Sequence, residues 1–428
     1  MEYVLNTTTI QCAVVVIILL VIALFATQLI ANLRNSRVVR IQQELSIDVL
    51  KQDLEYRALK YQLGLRRLEN SWAGIRKFSV DRKVLEGGEI CSLYLMPHDG
   101  KELPSFEPGQ YLTFQLHLPG ESKPTVRCYS LSDSPHKSDY YRVSIKRQGP
   151  PSNMPDAPPG KVSSFVHDNL DVGSIVDIIT PRGKFFMDQT HHTPVVLIGG
   201  GVGFTPLLSM LNTIIDSGSK REVWFFYGVR NSNEHIMAEH LKRVAKKYEN
   251  INMQICYSSP LVEDKKDVHY HHSKRVSVEL FKEILPSNNY DFYICGPPPM
   301  MDSIVNDLKD WGVPEKHIHF EAFGPLSKKS KGDTSSAADI SDSPSFNVEF
   351  SKSGKSLLWN PSSGSIMDLA EENGIVMESG CLSGSCGVCM TAIRDGDVGY
   401  LTQADTDLES GSCFPCIAIP KSPLTLDA

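Results

Sequence analysis

The longest apolar run of the chain lies near its N-terminus. From Ile10 to Ala31 the sequence reads IQCAVVVIILLVIALFATQLIA and carries no charged residue. With a rise of about 1.5 Å per residue, such a helix crosses a hydrocarbon core of about 30 Å. A cleavable signal peptide would need a basic segment and a shorter apolar run, whereas only Glu2 is charged before Ile10. We therefore predict a retained transmembrane helix at 10–31, preceded by an extracytoplasmic tail at 1–9.

Three arginines that follow this run predict its orientation. Arg34, Arg37 and Arg40 are the first charged residues after it, and basic residues that flank a span stay on the cytoplasmic side. Residues 32–72 are rich in Leu, Arg, Glu and Gln and contain no proline, which predicts a juxtamembrane helix. Its apolar positions do not form a clean heptad, so a spacer, a surface-lying helix and a dimer seam all stay open.

The period of the apolar positions changes along the rest of the chain. Residues 73–190 hold short alternating runs such as YLTFQLHL and YYRVSIKR, which predict a small antiparallel β-barrel. In residues 191–324 the runs VVLIGGG, EVWFFYG, NMQICYS and DFYICGP are almost wholly apolar, which predicts an α/β domain with a parallel sheet. Residues 325–344 are polar and predict a flexible linker. Residues 345–428 form a third, ferredoxin-sized unit, so the fold class is multidomain.

Composition excludes some classes of function. The chain has 428 residues, enough for about three domains, and a net charge of −7. A chain with this charge lacks the basic face that nucleic acid requires, so we expect no nucleic-acid partner. Cysteines concentrate in residues 381–416, a distribution too uneven for a disulfide scaffold. It points to a metal site in a reducing compartment.

The cysteine-rich window has the spacing of an iron–sulfur ligand set. The candidate ligands are Cys381, Cys386, Cys389 and Cys416. Their C-x₄-C-x₂-C…C spacing is that of plant-type [2Fe–2S] sites, where four thiolates hold two irons and a glycine-rich loop lets N–H groups approach the sulfurs. Structural zinc prefers paired C-x₂-C knuckles. Cys413 is a rival fourth ligand, but the window resembles plant ferredoxins, in which the last ligand precedes a proline as Cys416 precedes Pro420. That resemblance implies an α+β, β-grasp ferredoxin domain.

Short motifs in the barrel segment carry the residue types that a flavin dinucleotide needs. RCYSL at 127–131 offers a guanidinium fork for a pyrophosphate, a flat ring for the isoalloxazine and a hydroxyl for its N5. GKVSS at 160–164 offers a glycine and main-chain N–H groups for phosphate. With FEPGQY at 106–111, these motifs resemble the ferredoxin–NADP⁺ reductase superfamily, in which the strand YYRVSIKR commonly lines the cofactor. The resulting flavin-binding candidates are Arg127, Tyr129, Ser130, Val143, Lys146, Gly160, Lys161, Val162 and Ser163.

A glycine-rich segment opens the α/β domain. GGGVGFTP at 199–206 follows the strand VVLI and precedes a helix, the context in which a glycine run binds a pyrophosphate. It departs from G-x-G-x-x-G and resembles the GGxGxTP form of the same superfamily. Residues 227–230 and 295–300 end later strands, where ligands bind in open α/β sheets. The nicotinamide-binding candidates are Gly200, Gly201, Gly203, Thr205, Pro206, Arg230, Cys295, Gly296, Pro297 and Met300.

The resemblance also implies roles at the reacting rings. In the superfamily the cysteine of C-G-P lies beside the nicotinamide, and a closing E-x-aromatic segment lies at the flavin. Here these positions are Cys295, Glu321 and Phe323. We therefore expect Ser130, Cys295 and Glu321 to be catalytic, with Phe323 against the flavin face. From residue type alone, Cys295 would be a small buried apolar residue.

The identity of each cofactor is encoded less sharply than its presence. A 2′-phosphate needs basic residues after the second strand, but Arg230 is followed by Asn-Ser-Asn-Glu234. This favours NADH and leaves NADPH open. FAD is favoured over FMN, which also stays open because no motif reads the adenine.

The domain order is similar to that of the phthalate dioxygenase reductase type. It implies an NAD(P)H-dependent oxidoreductase that passes electrons from NADH through FAD and a [2Fe–2S] cluster to an acceptor. The anchor favours a membrane-bound acceptor such as an oxygenase, hydroxylase or desaturase. A quinone reductase module similar to the flavin subunit of sodium-pumping NADH dehydrogenase is disfavoured, because there the ferredoxin precedes the flavin domain. A non-catalytic redox sensor or scaffold is disfavoured by the three intact sets of motifs.

Some residues of metal-ligand type have an ordinary structural interpretation. His191 and His192 lie between two domains, and the run HYHH at 269–272 lies in a polar stretch, so we expect solvated loops. We expect four cysteines to be chemically inert: Cys12, Cys91, Cys128 and Cys256.

Overall fold

The computed structural model describes residues 7–70, 72, 74–122, 124–150, 156–191, 193–322, 344–380, 382, 384, 387–401, 404 and 408–428. In the first helix, side chains are described for residues 14–37 and for part of the positions that follow. The predicted linker lies outside the described residues, apart from Pro344. The chain forms two compact units, Met1–Arg66 and Arg67–Ala428.

One helix accounts for the first unit. α1 runs from Thr7 to Asn70, so the predicted anchor and juxtamembrane helix are one continuous element. No proline interrupts it, which is why the backbone hydrogen-bond ladder continues past the apolar run. Its stretch Val14–Arg37 is long and apolar enough to cross a membrane, and none of the window is buried in protein. A helix of this composition in a soluble core would be mostly buried.

Six antiparallel strands form a barrel. Their order in the sheet is β4-β3-β6-β1-β2-β5, and a bridge between Leu131 and Val143 joins the two outer strands and closes the sheet. Alternating side chains such as Phe78, Leu93 and Phe114 fill the interior and are fully buried. The elements are β1 (Ile75–Gly87), β2 (Ile90–Pro97), β3 (Tyr111–Leu116), β4 (Thr125–Ser130), β5 (Tyr141–Lys146), α2 (Lys161–Asn169) and β6 (Ile175–Arg182).

A five-stranded parallel sheet follows, in the order β11-β10-β7-β8-β9. Its elements are β7 (Val195–Gly200), α3 (Phe204–Asp216), β8 (Val223–Val229), α4 (Ala238–Lys247), β9 (Ile251–Tyr257), α5 (Val278–Ile284), β10 (Asp291–Gly296), α6 (Pro298–Asp310) and β11 (Ile318–Ala322). Along β7, Val195 and Leu197 pack under α3 and α4, whereas Val196 and Ile198 pack under α5 and α6. Both faces are therefore covered, which explains the wholly apolar strands.

The order of the strands determines where the sheet can bind a ligand. From the central strand β7, the chain adds β8 and then β9 on one side of the sheet. It then crosses back and adds β10 and β11 on the other side of β7. Neighbouring loops at the carboxyl ends of β7 and β10 consequently leave the sheet in opposite directions. That crevice is where open α/β sheets bind their ligands.

A mixed sheet, in the order β13-β12-β18-β14-β16, forms the C-terminal domain. β12 pairs with β13 as a hairpin and with β18 in parallel, and α7 packs against the sheet. The fully buried Trp359 donates its indole N–H to the carbonyl of Gly364 at 2.8 Å. The elements are β12 (Phe346–Phe350), β13 (Lys355–Trp359), α7 (Ile366–Glu372), β14 (Thr391–Asp395), β15 (Val398–Tyr400), β16 (Ser412–Cys413), β17 (Ala418–Pro420) and β18 (Leu424–Leu426).

Candidate flavin, nicotinamide and iron–sulfur sites

The RCYSL motif lies on β4, an edge of the barrel next to β3. The exposed Arg127 is separated by one residue from Tyr129, so the two side chains share a face of the strand. The Tyr129 ring meets Phe114 edge-on, with centroids 5.2 Å apart. Ser130 pairs with Tyr111 of the FEPGQY motif and is 6% exposed. The pairing of β3 with β4 therefore brings the FEPGQY and RCYSL motifs together.

The two candidates on β5 are placed differently from each other. Val143 is fully buried in the barrel core, so its side chain does not join the Arg127 and Tyr129 face. Lys146 is the last residue of β5 and is half-buried. Lys146 lies near Glu234 of the α/β domain, where its charge helps to keep the pKa of that carboxyl low. Lys146 thus faces the boundary between the two domains.

The GKVSS motif forms the N-terminus of α2. Gly160 is the N-cap residue and supplies no side-chain cap, which leaves main-chain donors of the first turn for an anion. The Ser163 hydroxyl donates to the carbonyl of Gly160 and accepts the main-chain N–H of Gln148, at 3.1 and 3.0 Å. Its donor is thus used within the loop. Val162 is buried against the barrel, so it fixes the helix rather than facing outward.

A carboxylate stands beside this helix terminus. Lys161 donates to Glu121, which also accepts from the Thr125 hydroxyl at 2.5 Å. The hydrogen bond from Lys161 is the largest cause that lowers the pKa of Glu121, and the positive charge of Arg127 contributes. Arg127 and Lys161, predicted separately, are therefore close to the same carboxylate. The first turn of α2 and the exposed Arg127 guanidinium are thus the groups here that suit a pyrophosphate, whereas Lys161 is paired with Glu121.

The glycine-rich loop and the CGPPPM segment pack tightly against each other. A methyl group on Gly203 would overlap the carbonyl oxygen of Cys295, and one on Gly200 would lie 2.9 Å from Pro297 Cδ. Gly201 has a φ of +55° and begins a short 3₁₀ turn. The loop then enters α3, where Thr205 and Pro206 occupy the first turn and are buried. Gly296 and Met300 adjoin Gly200 from β10 and α6.

Cys295 and Glu321 lie on adjacent parallel strands. They are register partners in β10 and β11, and Gly199 is the partner of Cys295 on the other side. Cys295 is fully buried. Burial raises the pKa of its thiol well above the ordinary value, and the charge of Glu321 acts in the same direction. Cys295 is therefore a neutral thiol at physiological pH. Phe323 lies outside the described residues.

Arg230 and Glu234 form an ion pair after β8. The Arg230 Nε donates to Glu234 Oε1 at 2.7 Å, and its main-chain N–H faces Oε2 at 3.3 Å. Burial would raise the pKa of Glu234, but the hydrogen bonds from Arg230 and the nearby Lys146 hold it below its ordinary value. The Arg230 guanidinium is thus paired with the ionised carboxylate of Glu234. A 2′-phosphate at this position would need a second basic residue instead.

The structure distinguishes the two candidate fourth cluster ligands. The sulfurs of Cys389 and Cys416 lie 3.2 Å apart in a small core. Cys413 is buried in the separate main core of the C-terminal domain. Gly384 has a φ of +75°, and a methyl group there would overlap Ile417, so the loop approaches the Cys416 segment closely. Cys381 and Cys386 lie outside the described residues. The two described thiols and the glycine loop fit a cluster.

The C-terminal domain contacts the barrel beside the RCYSL motif. Tyr111 pairs with Ser130 on one side and with Arg182 on the other. Two residues after Arg182, Lys184 donates to the carbonyl of Ala404 at 2.7 Å. Ala404 packs on the small core that holds Cys389 and Cys416. A continuous series of contacts therefore runs from Ser130 to the cluster thiols.

Three family models match the chain in sequence order. The oxidoreductase FAD-binding domain matches residues 89–187, the oxidoreductase NAD-binding domain matches 197–306, and the 2Fe-2S iron–sulfur cluster binding domain matches 351–421. The chain is 25% identical to phthalate dioxygenase reductase, whose structure is described as electron transfer from pyridine nucleotides to [2Fe-2S]. This match has a TM-score of 0.51 and covers 83% of this chain and 98% of that one. The chain belongs to the ferredoxin–NADP⁺ reductase superfamily.

Within this superfamily the chain is also similar to flavohemoproteins. It is 43% identical over 257 residues to the flavohemoprotein of Bacillus anthracis, which is 60% of this chain and 63% of that protein. The FAD/NAD-binding domain of Vibrio cholerae nitric oxide dioxygenase is 33% identical, with a TM-score of 0.51, and the match covers 58% of this chain and 99% of that one. The chain thus spans about three fifths of the length of the curated relatives it matches.

These comparisons confirm the superfamily, the oxidoreductase class and the order of the three domains. They also confirm that the chain has FAD-binding, NAD-binding and 2Fe–2S domains. They do not test the individual site residues or the domain boundaries, which stay predictions.

Sequence reasoning missed several residues that join the parts of this protein. Glu121, Lys184 and Asp133 belong to no motif, and each has a partner distant in sequence: Lys161, Ala404 and Asn212. The HYHH run also differs from a solvated loop. His271 Nδ1 accepts the N–H of Ile255 at 2.9 Å, and His272 Nε2 bonds Gln254 at 2.7 Å, so both are half-buried against β9.

Proposed function

We propose that the protein is a membrane-anchored, NADH-dependent reductase that delivers electrons to a membrane-bound oxygenase, hydroxylase or desaturase. A bound FAD would supply two-electron chemistry toward the nicotinamide and one-electron chemistry toward a [2Fe–2S] cluster. The chain supplies binding, orientation and exclusion of water.

The observation that carries this proposal is the series of contacts from Ser130 to the cluster thiols. Ser130, Tyr111 and Arg182 are linked through strand pairing, and Lys184 then bonds Ala404, which packs on the core that contains Cys389 and Cys416. A flavin at the RCYSL motif would thus lie close to a cluster at Cys389 and Cys416. This is the arrangement that a short electron path needs.

The residues at the reacting rings have chemistry that suits hydride transfer. Ser130 offers a hydroxyl at a site that is 6% exposed. Cys295 is fully buried at the carboxyl end of β10, and its thiol is neutral, so we propose that it forms part of the unreactive floor beneath the nicotinamide site. Glu321 lies on the neighbouring strand and places a carboxylate next to that thiol. Buried, water-poor surroundings protect a hydride donor from side reactions.

Arg127 and the N-terminus of α2 are proposed to hold the FAD pyrophosphate, and Lys161 joins them when it exchanges Glu121 for a phosphate oxygen. The glycines at 200, 201 and 203 and the start of α3 are proposed to hold the pyrophosphate of the nicotinamide cofactor. In both places a helix N-terminus follows a glycine with no room for a side chain: Gly160 lies against the Gln148 and Ser163 side chains, and Gly203 against the Cys295 backbone.

The Arg230–Glu234 ion pair supports NADH over NADPH. The Glu234 carboxylate accepts two hydrogen bonds from Arg230, so the guanidinium charge is already neutralised. A 2′-phosphate at this position would meet an ionised carboxylate, whereas a ribose hydroxyl could donate to it.

Replacing Glu234→Gln should increase the use of NADPH. Removing one carboxylate charge frees Arg230, so kcat/KM for NADPH should rise roughly tenfold, which corresponds to about 1.4 kcal/mol of repulsion. Steady-state rates with both nucleotides measure the ratio. Glu239→Gln, which removes an exposed carboxylate on α4, is the matched control. An unchanged ratio in Glu234→Gln would contradict the role of this ion pair.

The membrane anchor is supported by α1 and its flanking charges. Val14–Arg37 has the length and apolar character of a span, and Arg34, Arg37 and Arg40 favour catalytic domains in the cytoplasm. An anchored reductase is held in the same bilayer as an integral acceptor. Phthalate dioxygenase reductase, by its name, serves a dioxygenase, which supports an oxygenase-type acceptor here.

Two cysteine variants test the proposed path. Cys416→Ala should remove the visible spectrum of the cluster and the NADH-dependent reduction of cytochrome c. The flavin spectrum and the reduction of ferricyanide should persist, because the flavin pocket is untouched. Cys413→Ala is the matched control, since Cys413 is equally buried but lies in a different core.

The two activities separate the possible results. If Cys416→Ala kept both activities while Cys413→Ala lost the cluster, the assignment of the fourth ligand would be wrong. If the wild-type enzyme contained flavin and cluster but reduced neither acceptor with NADH, the proposed function itself would fail.

A further inference from the structure

A buried polar cluster joins the barrel to the α/β domain. Its centre is Asp133, which lies three residues beyond Ser130 and is 7% exposed. On the barrel side, Tyr140 donates its hydroxyl to Asp133 Oδ2 at 3.0 Å, and the guanidinium of Arg142 lies 3.2 Å from the same oxygen. Arg142 is held in turn by the Ser132 hydroxyl, which accepts its Nε–H at 3.1 Å. Asp133 is thus rigidly attached to the barrel.

The same residue receives two hydrogen bonds from helix α3. Asn212 donates its amide N–H to Asp133 Oδ1 at 2.9 Å, and Ser209 donates its hydroxyl to the Asp133 carbonyl at 2.7 Å. Both side chains are almost fully buried. His240 of α4 bonds the amide oxygen of Asn212 at 3.0 Å and so holds the amide in this orientation.

The position of this cluster matters because of what lies at each end of it. Toward the barrel, the chain leads back from Asp133 to Ser130 and Tyr129, the candidate flavin contacts. Toward the α/β domain, Ser209 and Asn212 lie on the helix whose first residue, Phe204, follows the glycine-rich loop. Asp133 therefore connects the segment that carries Ser130 with helix α3, through its carboxylate and its main-chain carbonyl.

Buried charged hydrogen bonds of this kind restrict motion strongly. A carboxylate that faces a guanidinium at a site with little solvent is costly to separate from its partner, because each charge would then be left without compensation. Such a cluster holds one relative arrangement of the elements that it joins.

We propose that Asp133 is a positioning residue for hydride transfer, which holds the nicotinamide-binding helix α3 at a defined distance from the flavin-binding strand β4. This inference rests on the proposed function. Asp133 touches neither ring; it acts through Ser209 and Asn212.

The test uses the full-length enzyme with its cofactors and measures flavin reduction by NADH in a stopped-flow instrument. Asn212→Ala removes the bond across the boundary and leaves the pair of Asp133 and Arg142 intact. Because a misplacement of about 1 Å can cost roughly 100-fold in rate, we expect the limiting rate constant to fall by about 10- to 100-fold. The dissociation constant for NADH should stay nearly unchanged, since the glycine-rich loop keeps its contacts.

Two further observations separate positioning from a general loss of structure. The long-wavelength absorbance that forms when the nicotinamide stacks on the oxidised flavin should weaken in Asn212→Ala. Ser209→Ala removes only one hydroxyl and is expected to disturb folding less than Asn212→Ala. It should lower the limiting rate constant by a smaller factor.

Lys137→Ala is the matched control. Lys137 and Asp216 form an ion pair at 3.0 Å between the same two segments, but at the solvent-exposed end of α3. Since exposed pairs contribute little, its limiting rate should stay within about twofold of wild type.

Wild-type limiting rates in both Asn212→Ala and Ser209→Ala would overturn the inference. So would a weaker binding of NADH with an unchanged limiting rate, because it would assign the cluster to binding. A wild-type enzyme whose flavin is not reduced by NADH would instead refute the proposed function, so the two failures are distinguishable.

Discussion

At the scale of single residues, burial changes the protonation of one histidine in the α/β domain. His235 follows Glu234, and its Nδ1 lies 2.9 Å from the Tyr257 hydroxyl. Its ring also meets Tyr227, with centroids 5.6 Å apart. Burial, the largest cause, lowers the pKa of His235 from 6.5 to about 4. The folded protein thus holds this imidazole neutral at pH values where the unfolded chain protonates it.

This shift predicts acid sensitivity with a definite sign. As the pH falls from 6.5 toward 4, the unfolded state takes up a proton that the folded state refuses, so the free energy of unfolding decreases. The contribution is fully present above pH 6.5. His235→Asn keeps a polar atom near Tyr257 but does not titrate in this range. Its thermal midpoint should therefore decline less steeply than that of the wild type between pH 6.5 and 4.

The control is His98→Asn, because His98 is exposed. It should follow the wild-type pH dependence. Equal slopes for wild type and His235→Asn would show that His235 is not the group responsible.

The residue scale is also where sequence reasoning was least complete. Residue types identified Arg127, Lys161 and Cys416 as candidates, because a guanidinium, an ammonium and a thiolate have distinctive chemistry. Residue types could not show that the Ser163 hydroxyl donates to the Gly160 carbonyl, or that Glu121 pairs with Lys161. A hydroxyl or carboxylate has many possible partners, and only packing selects one.

At the scale of elements, the start of α3 is fixed by its contact with β10. Gly203 precedes the helix, and a methyl group there would overlap the Cys295 carbonyl. The backbone on both sides belongs to regular elements, so neither can move freely. The helix consequently begins close to the strand end that carries the CGPPPM segment.

Gly203→Ala should weaken NADH binding without loss of FAD or cluster. Overpacking of this kind typically costs about 1–3 kcal/mol of free energy. Here the added methyl group would push the glycine-rich loop away from Cys295. Titration with NADH under anaerobic conditions measures the dissociation constant, and the visible spectrum reports the other two cofactors. Gly218→Asn is the control at the other end of α3, because its φ is +68° and nothing lies within 4 Å. Wild-type affinity in Gly203→Ala would contradict this role of the loop.

Most elements were predictable from their apolar period. The runs YLTFQLHL and YYRVSIKR correspond to β3 and β5, and the wholly apolar runs correspond to β7 to β10. A strand buried on one face alternates apolar and polar residues, whereas a strand buried on both faces is apolar throughout. The two kinds of strand could therefore be distinguished in the sequence. The closure of the barrel through Leu131 and Val143 was not, since it depends on the curvature of the whole sheet.

At the scale of the whole molecule, the chain divides into two units, and the candidate cofactor sites all lie in one of them. Residues 1–66 form a unit of their own, and every cofactor-binding candidate lies in Arg67–Ala428. Within the second unit, the bond from Lys184 to Ala404 joins the barrel and the C-terminal domain. Electron transfer should therefore not depend on α1.

Deleting residues 1–66 should release the protein from membranes and preserve its spectrum and ferricyanide reduction. Fractionation of cells, followed by assays of both fractions, measures the outcome. In the full chain, the double variant Ile17→Arg with Val21→Arg should also weaken attachment, at about 3 kcal/mol for each charge in the span. Leu45→Arg, equally exposed on α1 but outside the span, is the control. A deletion variant that stayed in the membrane fraction would exclude α1 as the sole anchor.

The sequence by itself determined the order of the three domains and the presence of flavin-binding, nicotinamide-binding and [2Fe–2S] domains. These depend on short-range patterns: apolar period, glycine position and cysteine spacing. The ferredoxin resemblance already favoured Cys416 over Cys413, and the tertiary structure places the Cys416 sulfur beside that of Cys389. Only the tertiary structure showed that Asp133 joins two domains. Asp133 and Asn212 are 79 positions apart, and Lys184 and Ala404 are 220 apart. Such contacts arise from packing and leave no local signal in the chain.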